Sequence, residues 1–370
     1  MQSTSRTMNV LLILLLWLAG GCASDRPPSG GPADSTPLQV ILSDPAPSSV
    51  NASGNRLRLT FNHYVTGREL LNALHVTPSI GEFDITIDGK NAELRPGKAL
   101  KQNQTYILTL DKNLRDNNGR TLPAPFSTAF STGAVIDSGI INGKVINRDF
   151  SSATNALILA FAEHPEAAGT GNLLTRKPDY IIQAESSGTF SFRHIATGSY
   201  RILAINDRNN DFQYTVGSEE IGLSSMTFVP TGFSGLLFRL SGMHRETQLA
   251  PVNQKLTSSE TGSISGTCFA FGQYLIVEAS SSTESFRTVA SRGLKGTFRY
   301  SFADLPSGSY TVSAYVPSNI GSKKPDFRQQ WNPGSINPFQ PADPFGYYPE
   351  KVTVRTHWSA DHIDIHIKPL

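Results

Sequence analysis

Phe192-Arg193-His194-Ile195-Ala196-Thr197-Gly198-Ser199-Tyr200 has a second version in the chain, Phe302-Ala303-Asp304-Leu305-Pro306-Ser307-Gly308-Ser309-Tyr310. In each, an apolar strand end gives way to a Gly-bearing turn, and the next strand opens on Tyr. Tyr310, Val312, Ala314 and Val316 then alternate with their neighbours, the period of a strand with one buried face. Upstream, Gly188-Thr189-Phe190 parallels Gly296-Thr297-Phe298, and Gly139-Ile140-Ile141-Asn142-Gly143-Lys144-Val145 parallels Gly262-Ser263-Ile264-Ser265-Gly266-Thr267-Cys268. Two copies of one sandwich are expected, over 137–245 and 260–370, with a polar linker near Glu246–Thr261. A one-residue slip would turn every apolar side chain to solvent, so Tyr200 and Tyr310 should hold equivalent core positions. The first copy is 13 residues longer between the opening glycines and the Phe192/Phe302 motif. That surplus should fall around His164–Lys177, where Pro165, Gly169 and Gly171 cluster. Residues 325–349 should form the largest loop difference in the other direction.

The rest of the composition suits this reading. The 370 residues allow two to three domains. Hydrophobic residues are 38% and charged residues 17%, as in a folded chain. Thirty-two basic and 30 acidic residues leave a net charge of +2, with no Lys/Arg stripe for a phosphate backbone, so nucleic acid is not an expected partner. Gly, Pro, Ser and Thr recur about every ten residues, the punctuation of short strands and turns. The fold class expected is all-β, three tandem antiparallel sandwiches.

The first of the three runs from 37 to 133. Leu57, Leu59 and Phe61 alternate with polar residues; so do Phe83, Ile85 and Ile87, and Tyr106, Leu108 and Leu110. Only Gly67–Leu74 suggests a helical turn. Thr36-Pro37, Ser43-Asp44-Pro45 and Leu57-Arg58-Leu59-Thr60-Phe61-Asn62, then Asn103-Gln104-Thr105-Tyr106-Ile107-Leu108, then Arg115-Asp116-Asn117-Asn118-Gly119-Arg120-Thr121-Leu122 and Phe130-Ser131-Thr132-Gly133, resemble in order the motifs of the SbsA-type bacterial Ig-like domain. Arg120 stands where Asn is usual. The leader Gly30-Gly31-Pro32 with Asp34 and Thr36-Pro37 resembles a group of Bacteroidetes-type lipoproteins. The repeated "G-x-F-x-F … L-P-x-G-x-Y" pattern of the two later copies resembles the prealbumin-like sandwich of carboxypeptidase regulatory-like domains.

The N-terminus reads as an address. Val10–Ala19 is an apolar run of ten behind Arg6, too short to span a bilayer and the length of a signal-peptide core. Leu18-Ala19-Gly20-Gly21-Cys22 follows and resembles a lipobox, with Ala19 where Leu is commoner. Residues 1–21 are then a lipoprotein signal peptide, Cys22 carries the diacylglycerol and further acyl (palmitate-type) chains, and 22–36 is a flexible tether. Asp is absent directly after Cys22, which by the enteric sorting rule resembles an outer-membrane destination. With Cys22 acylated, Cys268 has no disulfide partner and is expected as a small buried strand residue.

Two segments stand out as candidate sites. Asp207, Asn209 and Asp211 have the one-three-five spacing of oxygen ligands in a calcium loop. Phe212 replaces the expected Gly and Ser218 the expected Glu. The departures favour a polar turn over a cation site, and calcium is the one cofactor kept in view. The second is the aromatic, proline-rich stretch 325–349, with Phe327, Trp331, Phe339, Phe345, Tyr347 and Tyr348. Its rings either grip a ligand from a loop or cover the sandwich. His362 and His366 lie four apart on an expected strand, too far for one metal. No nucleophile-elbow, zinc-protease or phosphate-loop motif occurs. The expectation is a lipid-anchored envelope protein, not an enzyme, acting as a structural or interaction module. The alternatives are a carbohydrate- or peptide-binding accessory lipoprotein and a regulatory subunit of an envelope enzyme.

Overall fold

The structure is a computed structural model that describes residues 34–53, 56–78, 80–163, 173–209, 211–242, 260–294, 296–318 and 329–368. The signal segment, Cys22, most of the tether, most of the 246–261 linker and Phe327 lie outside the described residues. Pro37–Leu370 form one compact unit. The described residues are all-β with one short helix. No described helix is long and apolar enough to cross a membrane.

The first segment contains β1 (Val40–Asp44), β2 (Leu57–Phe61), α1 (Gly67–Ala73), β3 (Leu74–Thr77), β4 (Phe83–Asp88), β5 (Asn91–Pro96), β6 (Thr105–Leu110) and β7 (Phe126–Ser131). One sheet has the order β1-β2-β5-β4 and the facing sheet β3-β6-β7. The alternating residues meet between them: Leu57, Leu59 and Phe61 from one side, Tyr106, Leu108 and Leu110 from the other. Helix α1 is a capped helix of about two turns, its Thr66 side chain accepting the Glu69 N–H at 3.2 Å. Strand β6 is buried along its whole length. Its opposite face sends Ile107 into the core of the next segment.

The second segment contains β8 (Gly139–Ile146), β9 (Leu157–Ala162), β10 (Tyr180–Gln183), β11 (Thr189–Ile195), β12 (Ser199–Ile205), β13 (Glu220–Leu223), β14 (Val229–Pro230), β15 (Ser234–Arg239) and β16 (Ser241–Gly242). The third contains β17 (Thr261–Phe269), β18 (Ile276–Ser280), β19 (Ser285–Val289), β20 (Ser291–Arg292), β21 (Thr297–Pro306), β22 (Gly308–Tyr315), β23 (Ser335–Ile336), β24 (Phe339–Gln340), β25 (Phe345–Tyr347), β26 (Val352–Val354), β27 (Ser359–Ala360) and β28 (Ile365–His366).

The two segments share one pairing scheme. Strand β8 pairs β11 antiparallel and β15 parallel; β17 pairs β21 antiparallel and β27 and β28 parallel. Strand β9 lies between β10 and β12, and β18 between β19 and β22. Strand β12 pairs β13 and β14, and β22 pairs β25 and β26. Within these otherwise antiparallel sandwiches the closing strand of each copy returns parallel to its opening strand. Ile363, Ile365 and Ile367 are buried as the alternation requires, although only Ile365–His366 is regular strand.

The repeated nonapeptide folds alike in both copies. Tyr200 and Tyr310 are each 2% exposed. Each hydroxyl donates to the carbonyl four residues back, Tyr200 to Ala196 at 2.5 Å and Tyr310 to Pro306 at 2.8 Å. A bulge interrupts both strands at the same place, with His194 and Asp304 at φ 59° and 61°. Gly188 and Gly296 also share a positive φ, and a Cβ on Gly188 would run into the Val145 carbonyl oxygen.

The length differences fall in two connections. Residues 163–179, 17 in all, join β9 to β10, while four residues, 281–284, join β18 to β19. That accounts for the 13-residue surplus, although 164–172 lie outside the described residues. Fourteen residues, 206–219, join β12 to β13, and 29 residues, 316–344, join β22 to β25. The aromatic stretch thus ends earlier than the 325–349 expected, because Phe345 and Tyr347 belong to a sheet strand. The Asp207 loop and the aromatic stretch occupy the same topological position in the two copies.

Candidate functional site

In each copy, call the sheet that carries the Tyr strand the Tyr sheet, and the side turned away from its own core the outer face. On the first copy that face is apolar. Leu157, Leu159 and Phe161 of β9, Leu203 and Ile205 of β12, and Ile221 and Leu223 of β13 all lie there, buried. Their cover comes from the second copy. The β23–β24 hairpin of the 316–344 connection brings Ile336, Phe339 and Ala342 onto this face, with Trp331 beside them. Two of the sequence candidates, Trp331 and Phe339, are therefore packed in the seam between copies.

A buried carboxylate holds this clasp in shape. Asp343 is 1% exposed. One of its oxygens accepts the Ser318 N–H at 2.9 Å and the Ser318 hydroxyl at 2.6 Å; the other accepts the Asn332 N–H at 3.0 Å. Both ends of the connection and its middle are thereby tied to one side chain. The Trp331 indole N–H donates to the Asp343 carbonyl at 2.9 Å, and the Ala342 N–H donates across the seam to the Ser224 carbonyl at 3.1 Å.

Two arginines fasten the edges. The Arg201 guanidinium lies 4.9 Å from the Phe228 ring centroid and 5.3 Å from that of Phe339. The Arg239 guanidinium lies 4.4 Å from Phe150 and 5.1 Å from Trp331. Each stacked cation contributes about 0.5–2 kcal/mol, more as water is excluded. The other aromatic candidates also have ring neighbours. Phe345 meets Trp331 edge to face at 5.4 Å, Tyr347 meets Phe150 at 5.4 Å, and the Tyr348 ring packs against the second copy's core.

The Asp207 loop is built from its own hydrogen bonds. Asp207 accepts the Phe212 N–H at 3.0 Å, Asp211 accepts the Gln213 N–H at 2.8 Å, and the Asn209 side chain accepts the Asp211 N–H at 3.1 Å. Glu219 accepts the Arg208 and Thr215 N–H groups. The Asn209 and Asp211 bonds are Asx-type turns, in which the side chain takes the place of a backbone acceptor. Among the described residues, no group of three or more His, Cys, Asp or Glu gathers to hold a metal ion.

Phe212, standing where a calcium loop has Gly, adopts φ 60° and turns its ring onto His75 of the first segment, centroids 3.8 Å apart. Burial pushes the His75 pKa down to about 4, and its Nε2 has no hydrogen-bond partner among the described residues. The same seam holds Asp111, whose carboxyl burial and the nearby Asp207 charge keep above its ordinary range. It is bridged by Gln183, whose side chain accepts the Lys112 N–H at 3.0 Å.

Cys268 is wholly buried on β17, and burial pushes its thiol up to about 12, so it is an unreactive core residue at neutral pH. His366 stacks on Phe269 at 4.5 Å. The residues that sequence reasoning missed are Asp343, Arg201, Arg239 and Phe150. Asp343 alone carried a trace of signal, as the one acid between Trp331 and Pro349 in an apolar, proline-rich run.

Residues 34–132 match the family model described as bacterial Ig-like domain, so the first segment is such a domain. No curated protein matches the chain. Among solved structures, the native Escherichia coli alpha-2-macroglobulin aligns over 77% of this chain and 26% of its own, at 11% identity and a TM-score of 0.22. An L,D-transpeptidase from Mycobacterium smegmatis aligns over 56% of this chain and 90% of its own, at 14% identity and 0.20. A putative cell adhesion protein from Bacteroides ovatus aligns over 63% and 92%, at 9% identity and 0.19. Scores this low establish no common overall fold.

Proposed function

We propose that this chain is a lipid-anchored protein of the cell envelope, held at the outer membrane through Cys22, that acts as a non-enzymatic structural or interaction module. The observation that carries the reading is the clasp. The chain's longest connection between strands packs onto a neighbouring sandwich and seals its apolar face, pinned by Asp343. An arrangement of this kind fixes one sandwich on another, which suits a load-bearing or presenting body more than a flexible string of modules. The lipobox-like Ala19–Cys22 stretch supplies the anchor and 22–36 the tether.

The test has two arms. Cys22→Ser should abolish lipid labelling and move the protein out of the membrane fraction. Pull-down from solubilised envelopes with the wild-type protein should recover a partner that the Asp343→Ala variant loses. Unchanged fractionation of Cys22→Ser removes the anchor. A hydrolytic activity that survives purification and is lost with a single point mutation removes the non-enzymatic reading.

A further inference from the structure

The opening strands of the two copies align residue by residue, Asn142-Gly143-Lys144 of β8 on Ser265-Gly266-Thr267 of β17. Ile141 and Val145 are buried in the core of the first copy, Ile264 and Cys268 in that of the second. Alternation therefore turns Asn142 and Lys144, like Ser265 and Thr267, away from the core. In the second copy the closing segment supplies carboxylates there. The Ser265 hydroxyl donates to Asp361 at 2.7 Å, and the Thr267 N–H donates to Asp364 at 2.8 Å. In the first copy the closing strand β15 sets Ser234, Leu236 and Leu237 opposite Asn142, Gly143 and Lys144, and contains no acid.

The first copy's face opens instead into a cleft of about 340 Å³, completed by Pro344, Phe345 and Ile367 of the second copy. No Asp or Glu lines it. The Lys144 ammonium lies 6.0 Å from the Tyr347 ring centroid, the outer limit of a cation–π contact, and has no hydrogen-bond or ion-pair partner among the described residues. Lys368 donates one of its three N–H bonds to the Ser234 carbonyl at 3.2 Å and has no ion-pair partner among the described residues. It can lie across β15 only because residue 235 is glycine, at φ 75°; a Cβ there would overlap its ammonium. The Asn142 side-chain oxygen accepts the Gly235 N–H at 3.1 Å, while the Asn142 amide N–H bonds and the Ser225 hydroxyl have no partner among the described residues. His366 also lines the cleft, its ring stacked on Phe269. We propose that this cleft binds an aliphatic carboxylate, a hydrocarbon chain ending in a single carboxylate.

Three features of the lining select that chemistry. Two ammonium groups, an amide and a hydroxyl converge with no acid among them, which favours an anion. The carboxylate takes the part that Asp361 and Asp364 play in the second copy. Carbon makes up much of the rest. Phe233, Leu237, Pro344 and Phe345 offer apolar surface that a bare anion would leave against water and a hydrocarbon chain covers. Finally, strand β8 is bonded to β11 on one side and to β15 on the other, so this face offers no free strand edge to an extended peptide. A hydrocarbon chain has no backbone groups to pair and needs no such edge.

The test is calorimetry on the full-length Cys22→Ser protein with octanoate, butanoate, octan-1-ol, inorganic phosphate and acetyl-Leu-Leu. Each CH2 group buried tightens binding about fourfold, so octanoate should bind about tenfold or more above butanoate. Octan-1-ol, which lacks the charge, should bind about tenfold more weakly than octanoate. The octanoate affinity should fall as salt is raised. Lys144→Gln and Lys368→Gln keep most of the side-chain stem, and each should weaken octanoate about threefold or more with no change in melting temperature. Absence of octanoate binding at millimolar concentration, equal affinity for butanoate or octan-1-ol, phosphate or acetyl-Leu-Leu binding as tightly as octanoate, or indifference to both lysine variants would each overturn the assignment.

Discussion

The two Tyr sheets share strand order, register and the Tyr hydroxyl bond, yet their outer faces differ. The first copy's Leu159–Leu203 pair is roofed by a hairpin; the second copy's Ser280–Thr311 pair lines an open cleft. The difference shows that the inward alternation specifies the sandwich, while the outward residues are free to specify what covers it. An apolar outer face needs a lid, and the second copy's long connection supplies one. A hydroxyl-bearing face can be left to water, or to a ligand that replaces water hydrogen bond for hydrogen bond.

The most severe way to break the asymmetry is to release the lid. Asp343→Ala removes an acceptor from two backbone N–H groups and a hydroxyl inside the protein. Donors left unpaired in that setting cost about 4 kcal/mol together. The urea midpoint should fall accordingly, and a hydrophobic fluorescent dye should bind where wild type binds none, because Leu159, Phe161 and Leu203 become uncovered. Asp343→Asn, which keeps one acceptor oxygen, should lose about half as much. A loss under 1 kcal/mol for Asp343→Ala would mean that the hairpin stays in place without its pin.

A matched pair of truncations compares the faces directly. Leu203→Ala empties a site buried on both sides of the seam and should cost about 3 kcal/mol. Ser280→Ala removes a hydroxyl that bonds Glu278 at 3.0 Å and Ser285 at 2.9 Å, and should cost about 1 kcal/mol or less. Equal costs, read from chemical denaturation, would show that the second face is packed as tightly as the first.

Much of this was legible before the structure. Inward strand residues announce themselves by period two, and the paired Gly, Phe and Tyr positions fixed the register of both copies. The covered face also left a trace. Leu157-Ile158-Leu159-Ala160-Phe161 is an unbroken apolar run, the mark of a strand buried on both sides, whereas Ile276-Val277-Glu278-Ala279-Ser280 includes polar residues on its outward side. The identity of the cover was not legible, because Phe339 and Arg201 are distant in sequence and no local pattern joins them. The same holds for Phe212 and His75. The sequence singled out the Asp207 loop for its oxygen spacing, while the residue that reaches across the seam was the one read as a defect in that motif.

That other seam should respond to pH. The His75 pKa in the folded state is about 4, against an ordinary 6.5. Between those values the unfolded chain binds a proton that the folded chain does not, so stability is full above pH 6.5, falls as pH drops toward 4, and levels off below. The full loss from this group should be on the order of 3 kcal/mol. Asp111 acts in the opposite sense, since a carboxyl with a raised pKa is best accommodated at low pH. The contribution of His75 is therefore read as a difference: stability curves of wild type and His75→Gln between pH 4.5 and 7.5 should converge as pH falls. Parallel curves would mean that His75 stays neutral or is equally accessible in both states.

The smallest effect is the strictest test of the shared architecture. Tyr200→Phe and Tyr310→Phe each delete one hydroxyl and no carbon, so packing is kept and only the bond to the carbonyl four residues back is lost. Neither variant creates a cavity as large as a methyl group. The net value of one such bond is about 1 kcal/mol. The two sites are equally buried, follow the same bulge and face the same kind of core, so the two losses should agree within about 0.5 kcal/mol. The Tyr200 bond is the shorter, and the Tyr200 ring lies edge-on to Tyr180 at 5.7 Å where Tyr310 meets Phe286 at 6.2 Å. Any inequality should therefore run toward a larger loss at Tyr200. The double variant should show the sum, because the two hydroxyls lie in separate cores. A loss at one position with none at the other would separate the copies energetically, and would mean that one of them keeps the shape of the motif without relying on its hydrogen bond.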